Sequence, residues 1–321
     1  MSRPYRWPQH LAAVVTGLWL AACGAGNIAT PAANAPLKPA MLTGGQTLRV
    51  VATTSIIGDV VHNIGGDDID LTIIIQAGQD PHSYEPVAAD TRTLETAHLI
   101  FANGHDLEES LRPMLAATRA NVPVVEVSDG VDLIRLPDTQ SGLGYDPHTW
   151  QDPTNVIVWA DNIRKALAAR DPAHAAGYTE RASDYQRQLT QLDIDLKQKL
   201  AAIPDGQRKL VTNHDALAYF ARRYQLRLIG TVYLGADNVA EPSAGQMADL
   251  VKTIRAEQVH AIFVETTVSP ALAQTIAEEV GYPVKILTLY TDALDKPGTP
   301  GDSYIGMMRA NAVTIVSGLG E

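Results

Sequence analysis

Residues 173–202, AHAAGYTERASDYQRQLTQLDIDLKQKLAA, decide the fold that we predict for this chain. Apolar residues recur three or four positions apart, as on one face of an α-helix. These positions are Tyr178, Ala182, Tyr185, Leu189, Leu192, Leu196 and Leu200. Asp171-Pro172 is a start signal before the run, and Pro204-Asp205-Gly206 is a stop signal after it. Periodicity alone is compatible with one long helix from about Ala173 to Ala202 or with two helices joined by a kink.

Short β-branched runs alternate with amphipathic stretches on both sides of this helical segment. Before it, strands are predicted in LRVVATTS, IDLTIII, AHLIFANG and VPVVEVSD, at residues 48–55, 69–75, 97–104 and 122–129. After it, strand and helix patterns alternate again from residue 208, and SYIGMMRANAVTIVSGLGE at 303–321 predicts a closing helix. Strands that alternate with helices in this way form parallel sheets covered on both faces. We therefore predict an α/β protein with two lobes.

Composition and charge exclude several classes of protein. The chain has 321 residues, of which 45% are hydrophobic, so it is long enough for two cores of about 100 to 150 residues each. The formal net charge is -11 and no Lys/Arg-rich run occurs, which predicts no nucleic-acid partner. The single cysteine excludes an internal disulfide framework and a cysteine-rich metal site.

The N-terminus is typical of a secreted, lipid-anchored protein. Basic residues precede an apolar run at 11–23, LAAVVTGLWLAAC, which has the length of a secretory signal and is too short to span a membrane. Its end, Leu20-Ala21-Ala22-Cys23, resembles the bacterial lipobox, in which the cysteine is lipidated. An ordinary signal peptide that contains a cysteine is the alternative. Residues 24–45 are rich in Ala, Pro, Gly and Asn, which predicts a flexible tether outside the cytoplasmic membrane.

Three of the nine histidines lie in loop-like settings that we place at strand ends: His82, His148 and His214. Open α/β sheets bind ligands outside the carboxyl ends of their strands. His82 and His148 each follow Asp-Pro, so the proline fixes the local backbone. The preceding Asp80 and Asp146 could each accept a ring N–H or cap the next turn.

Motifs for the common catalytic and nucleotide sites are missing from the chain. It contains no H-E-x-x-H, G-x-S-x-G, G-x-x-x-x-G-K-[ST] or G-x-G-x-x-G after a strand. The remaining acidic candidates have no spacing that selects a general acid/base pair; they are Asp59, Glu85, Glu126, Glu241 and Glu265. We therefore predict no catalytic residues, no bound cofactor and no enzymatic activity.

Eight stretches give the chain its family resemblance. They are VATTSIIGDVVHNIGGD (51–67), DPHSYEPVAAD (80–90), LIFANG (99–104), DPHTWQDPTN (146–155), LVTNHDALAYFARRYQL (210–226), AEPSAGQMADLV (240–251), IFVETTVSP (262–270) and YTDALDKPGTPGDSYIGMMRANAVTI (290–315). In this order they resemble the metal-binding lipoproteins of bacterial zinc and manganese ABC importers, the cluster A-I or periplasmic solute-binding protein family 9 group.

The resemblance implies two α/β lobes joined by one long rigid helix, with a metal cleft between the lobes. It favours one helix over the kinked pair. The implied segments are a lipoprotein signal at 1–23, the tether at 24–45, an N-terminal lobe at 46–172, a connecting helix at 173–203 and a C-terminal lobe at 204–321. The implied metal ligands, two from each lobe, are His82, His148, His214 and Asp292.

The same resemblance implies a monomeric, extracytoplasmic protein, anchored through a lipid on Cys23, that captures a divalent metal and delivers it to a membrane permease. Three imidazoles and a carboxylate favour zinc over manganese, and family members with Glu or Asp at the His214 position tend to carry manganese or iron. The His-rich loop common in zinc-specific members is missing, and its absence weakens the preference for zinc. Because only neutral imidazoles bind metal, affinity is expected to fall below about pH 6.5.

Three points stay open from the sequence. His105, which follows the Asn-Gly of LIFANG, is a candidate accessory metal site. A surface adhesion lipoprotein with a structural metal is an alternative function. A zinc-dependent hydrolase is a second alternative, and it would need an open coordination position and a nearby general base.

Overall fold

The structure is a computed structural model that describes residues 37–136, 144–233 and 241–320. The predicted signal peptide, Cys23 and the first part of the predicted tether lie outside the described residues. Residues from Leu37 onward belong to one compact unit. Within the part of the chain that is described, no helix is both long enough and apolar enough to cross a membrane.

The first lobe is a parallel sheet with helices packed against it. Its elements are β1 (Leu48–Thr54), α1 (Ser55–Gly65), β2 (Ile69–Ile75), α2 (Ala88–Thr96), β3 (Leu99–Ala102), α3 (Arg112–Thr118) and β4 (Val124–Glu126). The strand order is β2-β1-β3-β4, and every pair is parallel. The strands that we predicted in this half are confirmed.

Two long helices follow the sheet of the first lobe. Helix α4 spans Pro153–Arg170, a 3-10 turn spans Pro172–His174, and α5 runs without interruption from Ala175 to Leu200. The single long helix is therefore confirmed, although it begins after the 3-10 turn rather than at Ala173. All seven apolar positions of the predicted helical face are buried.

The second lobe repeats the architecture of the first. Its elements are β5 (Lys209–Thr212), α6 (Ala218–Tyr224), β6 (Arg227–Thr231), α7 (Ala244–Glu257), β7 (Ala261–Glu265), α8 (Ala271–Val280), β8 (Lys285–Leu289) and α9 (Tyr304–Leu319). The strand order is β6-β5-β7-β8, again parallel. In both lobes the first strand lies between the second and the third, so each sheet has a switch point at the carboxyl ends of its central strands.

Side-chain caps explain where several of the helices begin. Thr54, Asp152, Ser243 and Ser303 precede α1, α4, α7 and α9, and each side chain accepts a hydrogen bond from a backbone N–H of the first turn. Such caps satisfy donors that have no partner inside the helix. The starts of these helices in both lobes are therefore fixed by local sequence.

One hydrophobic core joins the two lobes. It runs from Leu48 in the first lobe through α4 and α5 to Leu319 in the second, and smaller buried clusters cover the opposite faces of the two sheets. Helix α5 packs against α1, α4 and α9. The connecting helix is thus buried along one face over its whole length, which makes it a stiff support rather than a free linker.

Buried leucines of α5 should contribute strongly to stability. Leu192 has 0% of its surface exposed, whereas Ile194, two residues along the same helix, is 52% exposed. Leu192→Ala leaves a cavity in the shared core and should lower the free energy of unfolding by about 2 to 5 kcal/mol. Ile194→Ala, the matched control, should change it by about 0.5 kcal/mol or less. Urea unfolding measures both, and equal effects would contradict the packing.

Candidate metal centre

Four side chains that are far apart in sequence converge between the lobes. One ligand atom each from His82, His148, His214 and Asp292 can be chosen so that all lie within 4.8 Å of one another. The Nε2 atom of His148 lies 3.2 Å from that of His82 and 3.3 Å from that of His214. The structure therefore brings together all four residues that were predicted as metal ligands.

The candidate accessory histidine does not belong to such a group. His105 contacts the ring of Tyr145, with the two centroids 6.2 Å apart. Within residues 37–136, 144–233 and 241–320, only the four-residue group has the arrangement of His, Cys, Asp or Glu side chains that could hold a metal ion. The described structure thus gives His105 no metal partners.

Three of the four residues follow strand ends. His214 lies just beyond β5, Asp292 just beyond β8, and His82 in the loop after β2. These are carboxyl ends of parallel strands, where the fold leaves room for a ligand. The expectation of strand-end placement is therefore correct for His82 and His214.

His148 was predicted at a strand end, and this placement is wrong. The last strand before it, β4, ends at Glu126, and His148 instead directly precedes a 3-10 turn (Thr149–Gln151) before α4. Its position comes from a tertiary contact, because the side chain of Asn103, next to the end of β3, donates to the carbonyl oxygen of Pro147 at 2.9 Å. Local pattern could not reveal this contact.

The two Asp-Pro-His motifs each contain the same backbone hydrogen bond, but the aspartates differ in their side-chain contacts. Asp80 and Asp146 accept the backbone N–H of His82 and His148 at 2.8 and 2.9 Å, which fixes both turns. Asp146 also lies 2.7 Å from Nδ1 of His148, whereas the hydroxyl of Ser83 donates to Asp80. Only the second motif therefore orients its imidazole with its own aspartate.

Glu265, one of the acidic candidates to which the sequence assigns no role, is the partner of His214. It is the last residue of β7, it is buried, and its Oε1 lies 2.5 Å from Nδ1 of His214. A carboxylate in this position fixes the ring so that Nε2 faces the centre, and it makes the imidazole a stronger ligand. The sequence signal that could have identified this partner was an acidic residue at the end of an apolar strand.

The imidazoles of the two first-lobe histidines are neutral, which is the form that binds a cation. Burial, reinforced by the neighbouring His148 and His214, lowers the pKa of His82 well below its ordinary value. Burial and His214 likewise lower the pKa of His148. Both imidazoles are therefore neutral at neutral pH, which is the form that binds a metal ion.

A proton is held on the other side of the centre. Burial alone would lower the pKa of His214, but the carboxylates of Glu265 and Asp292 outweigh it and raise this pKa to about 10. Burial raises the pKa of Asp292 well above its usual range, against the opposing effect of His214. Without a metal ion, His214 and Asp292 together therefore retain a proton at neutral pH.

The chemistry of the four side chains fits a divalent cation. Asp292 is 2% exposed, and neither of its carboxylate oxygens accepts a hydrogen bond from the described residues. Its nearest side-chain nitrogens are the Nε2 atoms of the three histidines, at 3.3 to 3.9 Å. A buried carboxylate without donors is costly unless a cation faces it. Three imidazoles and one carboxylate are also ligand types that zinc uses in four-coordinate protein sites.

Comparison with known families and curated proteins agrees with this geometry. The family model described as ZnuA, zinc-uptake complex component A periplasmic, matches residues 50–318. The manganese ABC transporter substrate-binding lipoprotein PsaA of Streptococcus anginosus is 35% identical over 286 residues, covering 87% of this chain and 91% of the relative. The manganese-binding lipoprotein MntA of Halalkalibacterium halodurans is 33% identical over 308 residues, covering 96% and 97%.

Solved structures show the same two-lobe fold. The periplasmic zinc-binding protein TroA of Treponema pallidum superimposes with a TM-score of 0.81 at 31% identity, over 86% of this chain and all of TroA. A manganese-bound periplasmic metal-binding protein from Candidatus Liberibacter asiaticus gives a TM-score of 0.75 at 30% identity, over 85% of this chain. The family match and the relatives confirm the resemblance seen in the sequence: the chain belongs to the zinc-uptake complex component A family of periplasmic metal-binding proteins.

Proposed function

We propose that this protein captures a divalent transition metal between its lobes outside the cytoplasmic membrane and delivers it to the permease of an ABC importer. The observation that carries the proposal is the convergence of three imidazoles and one unpaired carboxylate within 4.8 Å. The names of the relatives, which are substrate-binding lipoproteins of metal ABC transporters, support the same role. A lipid on Cys23 would hold the protein at the membrane.

Zinc is the metal that the proposed ligands favour. Three neutral nitrogen ligands prefer zinc to manganese at equal availability, and the four-ligand shell matches tetrahedral zinc geometry. Manganese is the second candidate, because curated relatives are named manganese-binding. The types of the four ligands therefore favour zinc, whereas the names of these relatives favour manganese.

A carrier differs from the two alternative functions in how it treats its metal. A hydrolase needs a vacant coordination position and a general base beside it, and the carboxylates of Asp146 and Glu265 are instead occupied by histidine rings. A structural metal would be needed to keep the lobes folded. Here one continuous core already joins the lobes, so the protein should stay folded when the ion leaves.

Metal content and competition test the choice of metal. Protein purified without added metal should contain zinc, and zinc should displace manganese in a competition titration. Asp292→Ala should weaken zinc retention, because the only anionic ligand is lost. His62→Ala is the matched control, since His62 is exposed and lies outside the group. Occupancy by manganese alone would overturn the preference for zinc.

Removal of the metal separates a carrier from a structural site. A chelator should strip the ion while the far-ultraviolet circular dichroism spectrum stays unchanged, and added zinc should bind again. The physical reason is that none of the four proposed ligands belongs to the hydrophobic core around α5. Loss of secondary structure on stripping would favour the structural alternative.

Metal binding should release a proton at neutral pH. The pKa of His214, about 10 without metal, means that an ion must displace a proton over a range that extends above pH 6.5. Zinc affinity should therefore fall by roughly a hundredfold from pH 7.5 to pH 5.5, about tenfold for each pH unit. Isothermal titration in buffers of different ionisation enthalpy counts the protons.

Glu265→Gln is the control for the origin of this proton. Loss of the carboxylate that raises the pKa of His214 should reduce the number of protons released at pH 7.5, while Gln keeps an oxygen that can accept from Nδ1. Equal affinity of the unaltered protein at pH 5.5 and 7.5 would contradict the proton-displacement account.

A further inference from the structure

The segment that carries Asp292 belongs to the second lobe by sequence but is bound largely by the first. We call residues 290–295, between β8 and α9, the Asp292 loop. On one side of Asp292, the carbonyl oxygen of Thr291 accepts hydrogen bonds from Nε1 of Trp150 at 2.7 Å and from Nε2 of Gln151 at 3.0 Å. Both donors lie in the 3-10 turn directly after His148.

The other side of Asp292 is also held from across the cleft. The backbone N–H of Leu294 donates to Oγ of Ser55 at 3.0 Å, and its carbonyl oxygen accepts from the backbone N–H of Gly78 at 2.8 Å. Ser55 begins α1, and Gly78 lies in the loop between β2 and His82. Four hydrogen bonds from three separate first-lobe segments therefore surround the candidate ligand.

Among the hydrogen bonds of the described residues, those from the second lobe hold the ends of the same loop. The side chain of Asn311 accepts from the N–H of Tyr290 at 2.9 Å and donates to its carbonyl oxygen at 2.6 Å. At the far end, the N–H of Asp295 donates to the carbonyl oxygen of Gly301 at 2.9 Å. The backbone beside Asp292 itself is thus attached to the first lobe.

The Asp292 carboxylate depends on this backbone support. Neither of its oxygens accepts a hydrogen bond from the described residues, and its polar neighbours are Glu265 and the three imidazoles, the nearest of which is His214 at 3.3 Å. Ser55, Trp150, Gln151 and Thr291 are all buried, and water therefore cannot easily replace a lost bond. The distance between this carboxylate and the three imidazoles is consequently set by the loop backbone.

We propose that Ser55 and Gln151 are positioning residues for Asp292: from the first lobe they fix where the only anionic ligand stands, and so how firmly the ion is held. The inference rests on the proposed capture of a metal by these four residues. It assigns to the first lobe control over three ligands, its own two histidines directly and Asp292 through the loop. A change in the contact between the lobes would then act on the anionic ligand first.

Ser55→Ala tests the proposal with zinc as the probe. Loss of the bond to Leu294 should weaken zinc binding by roughly three- to tenfold, the net effect of one hydrogen bond. Ser110→Ala is the matched control, because the Ser110 hydroxyl lies in the same lobe, is buried and has no hydrogen-bond partner among the described residues. Gln151→Met removes a donor to Thr291 and should weaken binding in the same way. Unchanged zinc affinity in both variants would overturn the proposal.

A double-mutant cycle separates positioning from a general structural effect. If Ser55 acts through Asp292, Ser55→Ala should have little further effect on zinc affinity in an Asp292→Ala background. The same fold-loss in both backgrounds would overturn the proposal. Absence of zinc and manganese binding by the unaltered protein would instead overturn the proposed function on which it rests, so the two failures are distinguishable.

Cobalt(II) absorption gives a second readout that does not require the Asp292→Ala background to bind metal. A shifted carboxylate changes the ligand geometry, to which the visible bands of bound cobalt respond. Ser55→Ala and Gln151→Met should alter these bands, whereas Ser110→Ala should leave them unchanged. Identical cobalt spectra in all three variants and the unaltered protein would contradict a positioning role.

Discussion

The arrangement of the cleft depends on one buried charge. Asp292 is almost fully enclosed, and its carboxylate finds no hydrogen-bond donor among the described residues, only the Nε2 atoms of three histidines. A carboxylate in such a place is tolerable only with a proton or a cation beside it. The proton shared with His214 serves in the metal-free protein, and a divalent ion would replace it. Metal capture would therefore replace this proton with the metal ion.

The surrounding carboxylates make this exchange favourable. Asp146 and Glu265 each lie against the Nδ1 atom of one histidine, so Nε2 of His148 and of His214 faces the centre. Such partners orient the ring and strengthen it as a ligand. His82 differs, because its aspartate binds the backbone and its side chain is 6% exposed, whereas those of His148 and His214 have no exposed surface. The centre thus combines two firmly oriented imidazoles with one that is closer to solvent.

The scaffold explains how residues from two lobes can be held to within a few ångströms. His82, His214 and Asp292 follow the ends of β2, β5 and β8, so both sheets present the carboxyl ends of parallel strands to the cleft. Helix α5 and the continuous core keep the lobes in a fixed relation. The Asp292 loop then crosses the cleft and bonds to the first lobe through Thr291 and Leu294. Rigidity comes from the core, and final placement comes from a few buried hydrogen bonds.

The sequence by itself determined what depends on local pattern: the period of α5, the alternation of strands and helices, and the residue types His82, His148, His214 and Asp292 within the family motifs. Only the tertiary structure decided the position of His148 away from a strand end, the pairing of Glu265 with His214, and the first-lobe support of Asp292. These contacts join residues up to 239 positions apart, as between Ser55 and Leu294. Periodicity acts over a few residues, whereas such pairs exist only after the lobes have packed, because packing alone brings them within hydrogen-bond distance.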